Sequence, residues 1–148
     1  MFKYKGYSLP RDLLLLTAAL FDAIYYSCLI KTSKPADILL TSRSIEAPSA
    51  RQLTGPEELE LKKTYRAANY FLLRFLGSKR PCLCRSLVLE KWCRKRNIAA
   101  QVIIGVKKSG TMLESHAWLE IENQPFNENM VQLKEYTTIL RKGKPDDQ

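Results

Sequence analysis

The stretch from Pro81 to Trp92 constrains the fold most, because it predicts where a buried helix begins. Pro81 follows a break that starts at Gly77, and proline suits the edge of a helix but not its interior. The apolar residues after it recur at helical spacing: Leu83, Leu87, Val88 and Trp92. Cys82 is therefore expected in the first turn of a helix that is buried along one side.

The position of Cys82 favours a reactive thiol. The first turn of a helix lies at the positive end of the helix dipole, near backbone N–H groups that have no partner within the helix. Both effects favour the thiolate, which is the nucleophilic form of cysteine. The alternative, which holds for most free cysteines, is that Cys82 is a small and inert core residue.

Composition places the chain among folded proteins of one ordinary domain. It has 148 residues, of which 45% are apolar and 26% charged, so it can bury a core. Its formal charge of +9 permits an acidic partner, an anionic membrane surface or nucleic acid, and distinguishes none of them. Because no segment resembles a nucleic-acid-binding module, a nucleic-acid partner is not predicted.

The four cysteines, Cys28, Cys82, Cys84 and Cys93, do not resemble a disulfide framework. No signal peptide is recognised ahead of them, so we expect a cytoplasmic protein in a reducing compartment. Cys82 and Cys84 are too close together for the usual zinc-binding pair, and the chain has a single histidine. Neither a metal nor an organic cofactor is predicted.

The N-terminal half is expected to be helical. The run from Arg11 to Ile30 predicts a helix nearly long enough to cross a bilayer. Asp22 in its middle would cost about 3 kcal/mol there, so we interpret the run as a buried core helix with Asp22 on its wetter side. Peripheral membrane contact is the minor alternative. A second helix is predicted from Thr54 to about Leu76, with these side chains inward: Leu59, Tyr65, Ala68, Phe71, Leu72 and Phe75.

The C-terminal half predicts one helix followed by an antiparallel sheet. Residues 100–106 form a β-rich run that is apolar enough for a central strand. The alternating run 115–121 predicts the next strand, and residues 124–127 begin a third. The fold class is therefore α+β. We expect an N-terminal helical segment over residues 1–76, packed as one compact unit on a core over residues 77–148.

His116 lies in the second predicted strand, beside Trp118. A cysteine at a helix N-terminus opposite a histidine on a sheet is an arrangement in which imidazole takes the thiol proton. A third polar group usually orients the imidazole, and Glu128 is placed across a hairpin from His116, where a carboxylate could reach the ring. Each residue alone has a structural explanation, but together they predict a triad of Cys82, His116 and Glu128.

Four motifs occur in a fixed order along the chain: Cys82–Leu87, Arg94–Ala100, Val102–Val106 and His116–Glu120. With these motifs the chain resembles the transglutaminase-like (papain-like) cysteine proteases of lasso-peptide biosynthesis, which remove the leader from a ribosomally made precursor peptide. The close match runs from about Pro81 to Asn129, and the N-terminal half matches only in length and character.

The resemblance implies a role for each site residue. The nucleophile falls on Cys82, which begins the Cys-Leu-x-Arg-Ser motif, and the general base falls on His116 in the His-Ala-Trp motif. The family has an aspartate as third member, where this chain has Glu128, one methylene longer. Cys84 stands where the family often has proline, and it is not expected to be the nucleophile because it points away from Cys82 on a helix.

The resemblance also implies partners. The small size suggests the split form of the enzyme, in which a separate small recognition protein binds the leader of the precursor peptide. The ATP-dependent cyclase that closes the macrolactam is a further candidate partner. Two alternatives stay open: a transglutaminase-type amide acyltransferase that uses the same triad, and a non-catalytic scaffold that binds peptide or membrane.

Overall fold

Three long helices and a four-stranded antiparallel sheet make up most of the described chain. The computed structural model describes residues 3–4, 7–8, 11–34, 36–38 and 51–141. Its elements in chain order are β1 (Lys3–Tyr4), β2 (Tyr7–Ser8), α1 (Arg11–Thr32), α2 (Gly55–Arg74), α3 (Pro81–Arg94), β3 (Ala100–Ser109), β4 (Met112–Ile121), β5 (Gln124–Pro125), α4 (Met130–Leu133) and β6 (Thr137–Arg141).

Helix α1 is less buried than the sequence suggested. Its inner face is made by small residues such as Ala19 and Ala23, and Asp22 beside them pairs with Lys91 of α3. Asp22 stays partly exposed, and the close approach of α1 to α3 brings Lys91 within reach of its carboxylate. Large apolar side chains are instead exposed on the outer face: Leu13, Leu14, Phe21, Ile24 and Tyr25.

The segment Asp12–Thr32 has a mean hydropathy of 1.9 and is long enough to cross a membrane, with 22% of its most apolar window buried. The core helix of a globular domain can meet the same criteria of length and composition. Peripheral membrane contact of this helix therefore stays a prediction.

Helix α2 begins and ends as its sequence predicts. Both the backbone N–H and the hydroxyl of Thr54 donate to the Glu57 carboxylate, at 3.2 and 2.7 Å, and so secure the first turn. Gly77 adopts a φ of +50° just after the last turn. The inward orientation predicted for Leu59 and Phe75 is wrong, since they are 58% and 68% exposed. The buried stripe recurs at one-turn spacing through Leu61, Thr64, Ala68 and Leu72.

Helix α3 lies between the other two helices and the sheet. It begins at Pro81, as predicted, and its apolar residues Leu83, Leu87, Val88 and Trp92 are all buried. It ends before Asn97, whose φ of +57° confirms the left-handed terminator expected there.

The sheet has the strand order β5-β4-β3-β6, with every neighbouring pair antiparallel. Strands β3 and β4 pair without interruption from Ala100 opposite Ile121 to Ser109 opposite Met112, so both are longer than predicted. The third strand is shorter than predicted, because β5 covers only Gln124–Pro125. The two-residue turn between β4 and β5 is made by Glu122 and Asn123, both at positive φ.

A single buried cluster joins helices and sheet. It contains Tyr26 of α1, Leu61 of α2, Leu87 of α3, Val102 of β3 and Leu119 of β4, among others. The core thus extends across the boundary expected after residue 76, and that boundary stays a prediction.

Candidate active site

Cys82 lies in the first turn of α3 and is half-buried. Burial by itself disfavours the thiolate, but hydrogen bonds from the His116 ring and from the backbone N–H groups of Ala117 and Leu83 outweigh it. The net effect is that the pKa of Cys82 is lowered. The helix start therefore provides the N–H donor that the sequence led us to expect, and β4 provides a second one that it did not.

His116 on β4 faces Cys82 with one side of its ring and Glu128 with the other. Its Nε2 lies 3.3 Å from Oε2 of Glu128, which leaves Nδ1 as the ring nitrogen for the thiol. The hydrogen bond with Cys82, and next that with Glu128, raise the pKa of His116 to about 9 against the opposing effect of burial. Both shifts favour a thiolate beside an imidazolium over a neutral thiol beside a neutral ring.

Glu128 is held on its other side by Arg85. It follows Asn127, which is at a φ of +55°, and its Oε1 accepts from Nη2 of Arg85 at 3.2 Å. Arg85 in turn donates to Oδ1 of Asn69 at 2.9 Å and lies 4.5 Å from the ring centroid of Tyr65. Helix α2 thus anchors the guanidinium that orients the carboxylate.

Arg85 is a residue whose role the sequence reasoning missed. It is part of the Cys-Leu-x-Arg-Ser motif, and it is three positions after Cys82. Residues three apart on a helix lie on the same face, so this spacing was a signal that Arg85 could reach the surroundings of Cys82.

The His116 ring is flanked by two aromatic side chains. Trp118 is stacked on it with ring centroids 6.1 Å apart, and Tyr136 lies at 5.7 Å. Trp118 is fixed by a 3.1 Å bond from its indole N–H to Glu120. Gly105 lies opposite His116 in the sheet, and a Cβ there would come within 2.9 Å of both aromatic residues. A glycine is therefore required for this packing.

An open cavity of about 330 Å³ adjoins the imidazole and the carboxylate. It is bordered by polar groups for the most part, and its walls are Lys107, His116, Glu128, Asn129, Gln132, Leu133, Glu135 and Tyr136. Other grooves of similar volume lie along α1, away from Cys82. Within the described ranges, no group of three or more histidine, cysteine or acidic side chains could hold a metal ion.

The other three cysteines have different surroundings. The Sγ of Cys84 is buried, 3.8 Å from the hydroxyl of Ser27 and 3.6 Å from that of Ser78. Cys93 is buried at the far end of α3, and Cys28 is exposed on α1. None of the three contacts His116 in the described structure.

A thiol at a helix start, an imidazole on the adjacent strand and a carboxylate behind it form the arrangement that cysteine-dependent acyl transfer requires. The sequence agrees, because residues 24–141 match the transglutaminase-like superfamily. The chain belongs to that superfamily, which includes cysteine proteases and acyltransferases. The predicted α+β fold class is thereby confirmed. No curated protein and no solved structure matches the chain significantly.

Proposed function

We propose that this chain is a cysteine peptidase that removes the leader from a lasso-peptide precursor, with Cys82, His116 and Glu128 as its catalytic groups. The observation that supports peptidase chemistry is the hydrogen-bonded series from the Cys82 thiol through the His116 ring to Glu128. The motifs of residues 82–87 and 116–120 support the substrate class by resemblance.

In the first half of the reaction, the Cys82 thiolate attacks the carbonyl carbon at the leader–core junction, and a C–S bond forms. The backbone N–H of Cys82 lies in the first turn, where no carbonyl within the helix can accept from it, and it donates to the developing oxyanion. The His116 imidazolium gives its proton to the nitrogen of the core peptide, the C–N bond breaks, and the leader remains as a thioester.

In the second half, neutral His116 takes a proton from water, whose oxygen attacks the thioester carbonyl. The C–S bond breaks, the leader leaves as a carboxylic acid that gives its proton to solvent, and the thiolate–imidazolium pair is restored. Glu128 keeps the ring oriented throughout, because its carboxylate accepts from the nitrogen that does not face the thiol. This scheme needs no metal and no organic cofactor.

The proposed function implies a substrate and two candidate protein partners. The precursor peptide is the substrate, a separate small recognition protein would deliver its leader, and the ATP-dependent cyclase is a candidate to receive the core. We expect the chain to be slow by itself and faster with the recognition protein, because delivery of a bound leader raises the effective concentration of the substrate at Cys82. Full-speed cleavage with no gain from the recognition protein would contradict this part.

The test is cleavage of synthetic lasso precursor peptides, followed by mass spectrometry, with and without a recognition protein. We expect Cys82→Ala to cleave the precursor at least about a thousandfold more slowly than the unchanged protein. The matched variant Cys28→Ala, at an exposed cysteine on α1, should keep the cleavage rate of the unchanged protein. Unchanged cleavage by Cys82→Ala would rule out the peptidase and favour the scaffold. Incorporation of an added amine in place of water would identify an amide acyltransferase instead.

A further inference from the structure

The edge of β4 that faces away from β3 leads directly to Cys82. Within the described residues, strand pairing on this side of β4 is confined to Glu120 and Ile121, which pair with β5. The strand begins eight residues earlier, at Met112, and Met112, Leu113, Glu114 and Ser115 are all exposed. In the part of the chain that the structure describes, the segment of β4 that precedes His116 therefore has an open edge.

The contacts of β4 show which backbone groups face this edge. Ile121 and Gln124 close the two-residue turn into β5, and the carbonyl of Leu119 accepts from the N–H of Phe126 at 2.8 Å. Because neighbouring residues of a strand direct their backbone groups to opposite sides, the odd-numbered residues of β4 point away from β3. The N–H of Ala117 agrees, since it points at the Cys82 thiol.

Leu113 and Ser115 consequently present an N–H and a carbonyl each to the open edge, and Ala117 presents its carbonyl beside Cys82. The uninterrupted register of β4 against β3 means that no bulge changes this alternation. From Leu113 to Ala117 the strand spans about 13 Å, which is room for about four residues of an added strand.

We propose that the substrate peptide binds as an extended strand on this edge of β4 and pairs with the backbone of Leu113 and Ser115. The inference rests on the proposed function, because it takes the ligand to be a peptide that is cut at Cys82. The added strand would run along the edge and bring its scissile carbonyl to the thiol at the start of α3. Addition of a strand to a sheet edge is a general mode of peptide recognition.

Two features of the site favour this occupant. The edge is continuous with the reacting groups, since Ser115 immediately precedes His116 and Ala117 follows it. The exposed side chains of Met112 and Leu113, at 71% and 72%, alternate between the two faces of β4 and could contact side chains of the added strand. Recognition through the main chain predicts that affinity depends little on the peptide's side chains.

The first test uses tetrapeptidyl chloromethyl ketones with randomised side chains, and chloroacetone as the same electrophile without a peptide. Alkylation of Cys82 in the full chain is measured by mass spectrometry. We expect the peptides to alkylate Cys82 at least tenfold faster than chloroacetone does. When the peptide amides are N-methylated one at a time, alkylation should slow by about tenfold at every second position, because only every second amide donates to β4. An equal effect at all positions, or no advantage over chloroacetone, would overturn the proposal.

A pair of proline variants tests the protein side. Ser115→Pro removes an N–H from the open edge, and Thr138→Pro removes one from the opposite edge of the sheet, because Thr138 faces away from β3. Proline is tolerated at edge positions of this kind. For each variant, the rate of alkylation by the peptide reagents is divided by the rate with chloroacetone. Compared with the unchanged protein, this ratio should fall about tenfold in Ser115→Pro and stay within about twofold in Thr138→Pro. An equal loss in both variants would contradict the proposal.

Failure of the proposed function gives a different result. If Cys82 reacts with no reagent at about pH 6, well below the ordinary thiol pKa, the catalytic assignment is wrong. The edge is then tested by hydrogen exchange of Cys82→Ala with the corresponding peptidyl methyl ketones. Protection of the Leu113 and Ser115 amides supports strand addition, and unchanged exchange at saturating peptide overturns it.

Discussion

The two ends of helix α3 each carry a cysteine, and the two thiols have opposite properties. Burial disfavours ionisation at both ends, but at Cys82 the His116 ring and two backbone N–H groups lower the pKa. At Cys93, burial and the nearby carboxylate of Glu90 raise the pKa to about 12. The thiol is the same and the helix is the same, so the difference comes from what the sheet and the helix termini place beside each sulfur.

The largest effect on this comparison is expected from His116→Ala. Without the imidazolium, the half-buried Cys82 thiol loses its main stabilising partner, and its pKa should return to or above the ordinary thiol value. We predict that alkylation of Cys82 by iodoacetamide at about pH 6 falls about a hundredfold, because a much smaller fraction of the thiol is then present as the reactive thiolate. The measurement is labelling of the native protein, mapped to each cysteine by mass spectrometry.

Cys93 is the internal control for this experiment. It should stay unlabelled in both proteins, because it is fully buried and its pKa is already raised. Retention of rapid Cys82 labelling at low pH in His116→Ala would mean that the helix terminus alone activates the thiol.

The difference between the helix ends was partly predictable from sequence. Pro81 and the apolar spacing after it predicted that Cys82 starts a helix, and alternation predicted that His116 lies in a strand. These are local signals, which depend on residues near each other in the chain. The placement of Glu128 needed in addition a hairpin between the two residues, and the structure has one at Glu122–Asn123.

The parts that could not be predicted depend on how separate helices pack. Arg85 meets Asn69 only because α2 lies beside α3, and Asp22 meets Lys91 only because small residues let α1 approach. The exposure of Leu59 on α2 likewise depends on which face of that helix its neighbours cover. An amphipathic pattern with apolar residues on several faces does not show which face will be covered.

The next largest effect is expected from Glu128→Gln. The carboxylate helps to raise the pKa of His116 to about 9, so its loss should lower that pKa. Protonation of the leaving amine needs the imidazolium, and activity is lost as pH rises through the His116 pKa. The basic limb of the cleavage profile should therefore move to lower pH, with a loss of about tenfold to a hundredfold in kcat/KM.

Glu135→Gln is the matched control for that variant. Glu135 borders the same cavity but bonds to Lys107 rather than to His116. Its pH profile should keep the wild-type basic limb. An identical shift in both variants would show that the general negative charge of the cavity, and not the bond from Glu128, sets the His116 pKa.

Arg85→Gln is expected to have a smaller effect at the same end of the helix. Arg85 is a positioning residue, since it reaches His116 only through Glu128. We predict a loss of about threefold to tenfold in kcat/KM, with partial recovery in Arg85→Lys, because an ammonium can pair with Glu128 but cannot also hold Asn69 in the same geometry. In a double variant with Glu128→Gln the two losses should not add. Full additivity would place the action of Arg85 elsewhere.

Gly105→Ala is expected to have the smallest effect on the reactivity of Cys82, and it acts through the packing around His116. The new Cβ would lie 2.9 Å from both Trp118 and Tyr136, the two rings that flank His116, so these side chains must shift. We expect a loss of about 1 to 3 kcal/mol in the free energy of unfolding, measured in urea. Labelling of Cys82 at low pH should slow only a few-fold, and Cys93 should remain unlabelled.

Gly55→Ala is the control, because a Cβ there meets no atom within 4 Å. If both variants are equally stable, the sheet accommodates the methyl group, and the aromatic packing around His116 is looser than the structure indicates.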